Sequence, residues 1–301
     1  MRSGFATIVG RPNVGKSTLL NAIIGEKVTI TSSRPNTTRH QIRGVLTTPD
    51  TQVIFVDTPG LHRPKTKLGD RLNDQAMDSF HDVEVIIALI EANNAIGPGD
   101  RMVLKRSLEV AVKNGPALFV AVNKVDAAGP ARTAEQLLLG LAALEQIAEE
   151  MGSAAVAVAA ATEIFPISAK NKKGVPQLVE AVVATMEEGP AYYPDDMISD
   201  QGEAAHIAEL VREQLLSRTR EELPHAIHCR VAEWEGKHIK VEILVERDSQ
   251  KGIVIGKGGE LLKEVGTEVR KQLPEGTYLE LYVRVEKHWQ SRPEILDRFG
   301  L

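Results

Sequence analysis

Gly10-Arg11-Pro12-Asn13-Val14-Gly15-Lys16-Ser17-Thr18 joins an apolar run to a helical pattern. Glycines at that spacing let successive backbone N–H groups turn toward a phosphate, and the helix N-terminus adds partial positive charge. Lys16 is placed to reach the β- and γ-phosphates of a nucleotide, and Ser17 to ligate Mg²⁺. Asp57-Thr58-Pro59-Gly60-Leu61 ends a second apolar run. Its carboxylate can hold Mg²⁺, and the Gly60 N–H can approach a γ-phosphate. Asn123-Lys124-Val125-Asp126 ends a third run. The Asp126 carboxylate can accept from the N1–H and 2-amino group of guanine. Adenine lacks both donors and would leave a buried carboxylate unpaired. Asn123 and Lys124 brace the base and the loop. Ser168-Ala169-Lys170 gains meaning from position alone: its backbone can meet guanine O6 while the Lys170 stem covers the base. Between the phosphate loop and Asp57 lies Arg34-Pro35-Asn36-Thr37-Thr38-Arg39. A threonine here, Thr38 before Thr37, can complete the Mg²⁺ shell and let go after hydrolysis.

A second cluster lies near the C-terminus. Gly256-Lys257-Gly258-Gly259 follows Ile253-Val-Ile255 and precedes a helical pattern. It fits the Gly-x-x-Gly loop of a KH domain, whose glycines admit a sugar-phosphate backbone. Lys257 would meet phosphate, and Ile253 and Ile255 would face bases. A plain glycine turn is the alternative. From residue 201 on there are 16 Lys/Arg against 18 Asp/Glu, so binding rests on a local patch: Lys251, Lys257, Lys263, Arg270 and Lys271. Trp289 reads as a packing anchor for the tail rather than a stacking platform.

These residues need a scaffold. Phe5–Val9, Val53–Val56, Val85–Ile90, Ala117–Val122 and Ile164–Ile167 read as buried strands, with Gln41–Thr48 as an edge strand. Helical patterns run near Lys16–Ile24, Leu68–Phe80, Arg101–Lys113, Ala134–Glu150 and Val175–Met186. This alternation implies an α/β, doubly wound, mostly parallel sheet with helices on both faces. Residues 1–187 form that domain, 188–200 a Pro- and Gly-containing linker, and 201–301 a small α+β domain. In the latter, a helix at Glu203–Arg218 precedes strands at Ala226–Glu233 and His238–Glu246, then the glycine loop, a helix to Gln272 and a strand at Tyr278–Val285.

Composition narrows the class. The chain has 301 residues, 43% apolar, and a net charge of -5. That charge argues against a protein coated in positive potential. Cys229 is the single cysteine, which excludes an intrachain disulfide and a multi-Cys zinc site. No apolar run reaches the roughly 18 residues of a membrane span, so a cytoplasmic location is expected.

The four ordered nucleotide elements and the Thr-Thr-Arg loop resemble the translation-factor-type small GTPases. Two longer strings, Asp57–Gly69 and Val245–Gly259, are similar to the Era family of ribosome-assembly GTPases, and the likeness covers essentially the whole chain. It implies a P-loop GTPase domain followed by a type II KH domain, with GTP/GDP and Mg²⁺ bound. It implies slow hydrolysis without a water-orienting glutamine, since Leu61 stands after Gly60. The γ-phosphate, a water held by loop backbone or a residue supplied in trans must then help. The expected partners are small-subunit ribosomal RNA, near its 3′ end, and the small ribosomal subunit. A monomer is expected, with room for a peripheral contact at the inner face of the cell membrane. Asn36, where relatives usually carry Gln, and Glu91, where an Asp commonly ends the strand, depart from the pattern. An RNA-binding assembly chaperone with a structural, poorly hydrolysed nucleotide is the alternative; an ATP-dependent kinase fits the Asn123–Asp126 element poorly.

Overall fold

The computed structural model describes residues 1–32, 34, 37–62, 64 and 66–301. Pro35 and Asn36 of the threonine loop, and Arg63 and Lys65 of the Asp57–Gly69 string, lie outside the described residues.

One unit is built on β1 (Arg2–Gly10), β2 (Ile42–Thr48), β3 (Thr51–Asp57), β4 (Val85–Glu91), β5 (Ala117–Asn123) and β6 (Glu163–Pro166). Their order is β2-β3-β1-β4-β5-β6, and only the β2–β3 pair is antiparallel. The strands are apolar runs because helices cover both faces. Around them come α1 (Lys16–Ile24), α2 (Lys67–Asp78), α3 (Pro98–Asn114), α4 (Val125–Met151), α5 (Ser153–Ala161) and α6 (Val175–Thr185). Ile8, Phe55 and Ile87 face α1 and α6 in one apolar cluster. Val9, Ile86, Val120 and Val122 face α3, α4 and α5 in the other. Each such side chain is fully buried and contributes about 1.5–3 kcal/mol.

Two expectations are corrected and one element is added. The range Val125–Met151 holds a short turn and a longer helix that meet at Gly129, whose φ 73° and ψ 166° are not helical, so the longer helix starts at about Pro130, ahead of Ala134. The Ala/Val stretch after Gly152, to which the sequence reading assigns no element, forms a helix of its own, α5. Strand β6 stops at Pro166, although the Ile167 N–H still donates to the Val122 carbonyl at 2.9 Å.

The other unit comprises α7 (Glu203–Arg218), α8 (Leu223–Ala226), β7 (His228–Glu235), β8 (His238–Val245), α9 (Asp248–Ile255), α10 (Glu260–Arg270), β9 (Tyr278–Val285) and α11 (Pro293–Phe299). Its sheet is β7-β8-β9, with β7–β8 antiparallel and β8–β9 parallel. The expected first strand begins two residues late, because Pro224 and Ala226 belong to the short α8. Leu210, Val211, Val241, Ile243, Val265 and Val269 fill its core. Trp289 is fully buried, donates from Nε1 to the Ala226 carbonyl at 2.9 Å and packs tilted against His228 and edge-on against Phe299, as a packing anchor should.

By compactness, residues 30–37 and 64–71 group with 201–301, and the remainder forms the first unit. Residues 188–200 are laid along that first unit. The Gln52 side-chain carbonyl accepts from the Tyr192 and Tyr193 N–H groups at 2.6 and 2.9 Å, and Arg43 pairs with Asp200 at 3.0 Å. No helix among the described residues is long and apolar enough to cross a membrane.

Candidate nucleotide site and nucleic-acid loop

At the C-terminal ends of parallel strands, side chains and helix N-termini can converge on a ligand. Strand β1 runs into the phosphate loop, and α1 starts at Lys16 with Gly15 as its left-handed N-cap (φ 102°). A Cβ at Gly15 would lie 2.3 Å from Asn123 Nδ2. Only glycine therefore lets Asn123 donate to the Val14 carbonyl, at 2.9 Å. Asn123 Oδ1 accepts from the Ala169 N–H at 3.0 Å. One amide thus ties the phosphate loop, the end of β5 and the Ser168-Ala169-Lys170 turn together. The Ser168 hydroxyl donates to Asp126 Oδ1 at 2.6 Å and fixes that carboxylate beside the turn. Lys170 is exposed, with its stem available as a cover.

Lys16 is buried, and its ammonium donates to the Arg11 and Gly10 carbonyls at 3.1 and 3.4 Å. Burial lowers its pKa to about 8, against the opposing pull of the Asp57 charge. Asp57 is fully buried at the end of β3. Burial raises its carboxyl above the usual range, while Lys16 and the Ser17 and Thr38 hydroxyls pull the other way. Ser17 Oγ donates to Asp57 Oδ2 at 2.7 Å, Thr38 Oγ1 does so at 3.1 Å, and the two hydroxyls lie 2.9 Å apart. Asp57 Oδ1 is buried with no hydrogen-bond partner. An orphaned carboxylate oxygen beside two converging hydroxyls is the hard-oxygen donor set that Mg²⁺ takes. Thr37 makes other contacts: its hydroxyl donates to the Arg34 carbonyl at 2.7 Å, while its own carbonyl accepts from the buried Arg212.

Gly60 packs against the phosphate loop so closely that a Cβ would sit 2.6 Å from the Pro12 nitrogen. The Leu61 N–H donates to the Gly10 carbonyl at 3.2 Å, and its side chain is buried in the apolar cluster under α3. Leu61 therefore offers no group to a water. Arg11 turns away to Asp100 Oδ1 at 2.6 Å, and Asp100 Oδ2 accepts from the Gly97 N–H at the start of α3.

In the second unit the glycine loop joins α9 to α10. Gly256, Gly258 and Gly259 all have left-handed φ (77°, 62° and 82°). A Cβ at Gly258 or Gly259 would meet nothing within 4 Å, so that side of the loop is open to an approaching backbone. Lys257 and Lys263 are exposed, Lys251 and Ile255 are half-buried, and Ile253 is 59% exposed.

A family model described as 50S ribosome-binding GTPase matches residues 5–124, and a KH domain model matches residues 222–290. The chain is 46% identical over 310 residues to the GTPase Era of Mycolicibacterium smegmatis, covering 99% of this chain and 98% of that protein. It belongs to the Era family of GTPases. The GTPase Era of Mycobacterium avium is similar to the same extent, at 45% identity with the same coverage. Among solved structures, Era in complex with MgGDPNP and nucleotides 1506-1542 of 16S ribosomal RNA superposes with a TM-score of 0.88 at 36% identity, covering 100% of this chain and 99% of that one. An Aquifex aeolicus Era variant bound to GDP.AlF4- gives a TM-score of 0.87 at 36% identity, with the same coverage. As an Era-family member the chain is a GTPase with a KH domain.

Two buried charged residues near the site carry no local signal in the sequence. Glu91, at the end of β4, bonds directly to Lys124 at 2.5 Å. Arg212 escaped notice because a charged residue on α7 reads as solvent-facing, whereas it is fully buried with Glu209 beside it.

Proposed function

We propose that this chain uses a GTP hydrolysis cycle at the Lys16–Asp57–Asp126 site to govern its hold on small-subunit ribosomal RNA, near the 3′ end, during small-subunit assembly. The observation that carries the nucleotide half is the convergence of Ser17, Thr38 and the orphaned Asp57 carboxylate one residue from the buried Lys16 ammonium. Ser17, Thr38 and Asp57 would hold Mg²⁺, which would supply positive charge against the phosphates. Lys16 supplies a desolvated positive charge to the β- and γ-phosphates, together with the loop N–H groups from Asn13 to Thr18. The Gly60 N–H donates to the γ-phosphate. Asp126 reads guanine while Ser168 holds the carboxylate in place, and Val125, Thr58 and Pro59 supply backbone and packing. No general base is assigned, and Leu61, which follows Gly60, carries no group that could take a proton.

The RNA half rests on the open Gly256–Gly259 loop with Lys251, Lys257, Lys263, Ile253 and Ile255, and on the ribosomal RNA complex of the Era relative. A cytoplasmic location, a monomeric state and a peripheral membrane contact belong to the same proposal. Single-turnover hydrolysis tests the cycle, with Lys16→Ala as the control. Loss of phosphate release in that variant is expected. Equal slow release from both proteins would make the nucleotide a structural ligand.

A further inference from the structure

The last residue of β4 carries a contact that the GTPase reading leaves unused. Glu91 is 6% exposed and lies opposite Asn123 in the β4–β5 register. Lys124 follows β5 in a left-handed conformation, φ 68° and ψ 34°. Its ammonium donates to Glu91 Oε1 at 2.5 Å and to the Asn13 carbonyl of the phosphate loop at 2.7 Å. The second Glu91 oxygen accepts from the Asn94 side-chain amide. The Asn94 backbone carbonyl in turn accepts from Gln136 Nε2 on α4 at 2.8 Å. Both oxygens of a buried carboxylate are therefore committed, one to a lysine and one to a neighbour that is itself anchored.

A lysine side chain has four rotatable carbons and a strongly hydrated head, so it makes a poor wall unless its end is fixed. Lys124 is fixed twice. The Asn13 carbonyl sets how far the ammonium reaches along the phosphate loop. The Glu91 carboxylate draws the same ammonium toward the end of β4 with a charge-assisted bond. Both contacts are made by the ammonium, so the four methylenes run from the Lys124 backbone to one fixed end. An Asp here would end one methylene short of Lys124. The glutamate thus makes direct the grip that a shorter side chain would have to make through something else.

We propose that Glu91 is a positioning residue for guanine-nucleotide retention, acting only through Lys124. It sets how long a nucleotide stays bound and leaves the hydrolytic step alone, since it touches neither the phosphate-facing groups nor the Ser17–Thr38–Asp57 cluster. This rests on the reading of Lys124 and Asp126 as the guanine-facing pair.

The test is release of a fluorescent GDP analogue from the full-length, Mg²⁺-loaded protein, measured by stopped flow in a double-mutant cycle with Lys124→Ala. Glu91→Gln is expected to speed release about tenfold, as for loss of one charge-assisted bond, with kcat at saturating GTP within about twofold of the parent. Glu91→Asp keeps the charge and is expected to fall between the two; it also serves if the amide variant folds poorly. In the Lys124→Ala background, Glu91→Gln should add less than about twofold, because the residue it acts through is gone. Parental release rates in both Glu91 variants would overturn the proposal. So would a tenfold effect that persists without Lys124, or a kcat that falls as far as release accelerates. Failure of the underlying guanine reading would show separately, as an Asp126→Asn protein whose preference among purine nucleotides is unchanged.

Discussion

Lys16 is where burial and charge oppose each other most directly. Its ammonium is held inside the loop by two backbone carbonyls, and burial has brought its pKa down to about 8. A nucleotide phosphate supplies the opposite charge and restores the proton's hold, so the bound-state pKa lies above the free-state value. Affinity for GDP is therefore expected to weaken as pH rises through about 8, and binding at pH values just above that point should take up protons. Calorimetry in buffers of different ionisation enthalpy measures this directly. The nucleotide-free fold should respond with the opposite slope. Between about 8 and the ordinary lysine value the unfolded chain binds more protons, so stability rises with pH there. Lys16→Ala removes the charge outright and should lower kcat/KM by roughly 10²–10³, the cost of losing one preorganised electrostatic donor. Residues of this kind were legible in the sequence because their chemistry depends on neighbours a few positions away. Glu91 was not, because its partner Lys124 lies across a strand pair and no local pattern joins the two.

At the scale of elements, helices and strands were legible wherever polarity repeats with a period. Helix α5 reads Ser-Ala-Ala-Val-Ala-Val-Ala-Ala-Ala; with no polar residue after Ser153 it shows no face, although alanine favours helix. Helix α7 presents the reverse difficulty. Arg212, on its inner side, is fully buried, pairs with Glu209 Oε2 at 2.5 Å and donates to the Thr37 carbonyl. Removing one partner of a buried pair leaves an uncompensated charge, so Arg212→Ala should cost about 3–5 kcal/mol in urea unfolding. Arg212→Met, paired with Glu209→Leu, should cost far less. The tail beyond β9 makes a cleaner case. Trp289→Ala should lose about 3–5 kcal/mol through the cavity it opens, while Trp289→Phe should keep RNA affinity within twofold. A large loss of affinity with stability intact would make Trp289 a stacking platform instead.

For the whole molecule, the threonine loop is where the two chemistries share one stretch of chain. Thr37, whose carbonyl Arg212 holds, and Thr38, whose hydroxyl reaches Asp57, are consecutive residues. Domain order was legible in the change of pattern near residue 200. The assignment of residues 30–37 and 64–71 to the C-terminal unit was not, because compactness depends on contacts distant in sequence. RNA affinity is expected to differ between the GDP-bound protein and the protein bound to a non-hydrolysable GTP analogue; equal values would remove the switch. Lys257→Ala should weaken RNA binding and reduce its salt dependence by about one phosphate contact. All of this presupposes that the site is built for guanine. The most direct measurement is hydrolysis of GTP, XTP and ATP by the parent and by Asp126→Asn. The account predicts a parent that prefers GTP and a variant whose preference passes to XTP, because the amide presents a donor where the carboxylate accepted. A parent that turns over ATP as readily as GTP, or a variant that still prefers GTP, would contradict it.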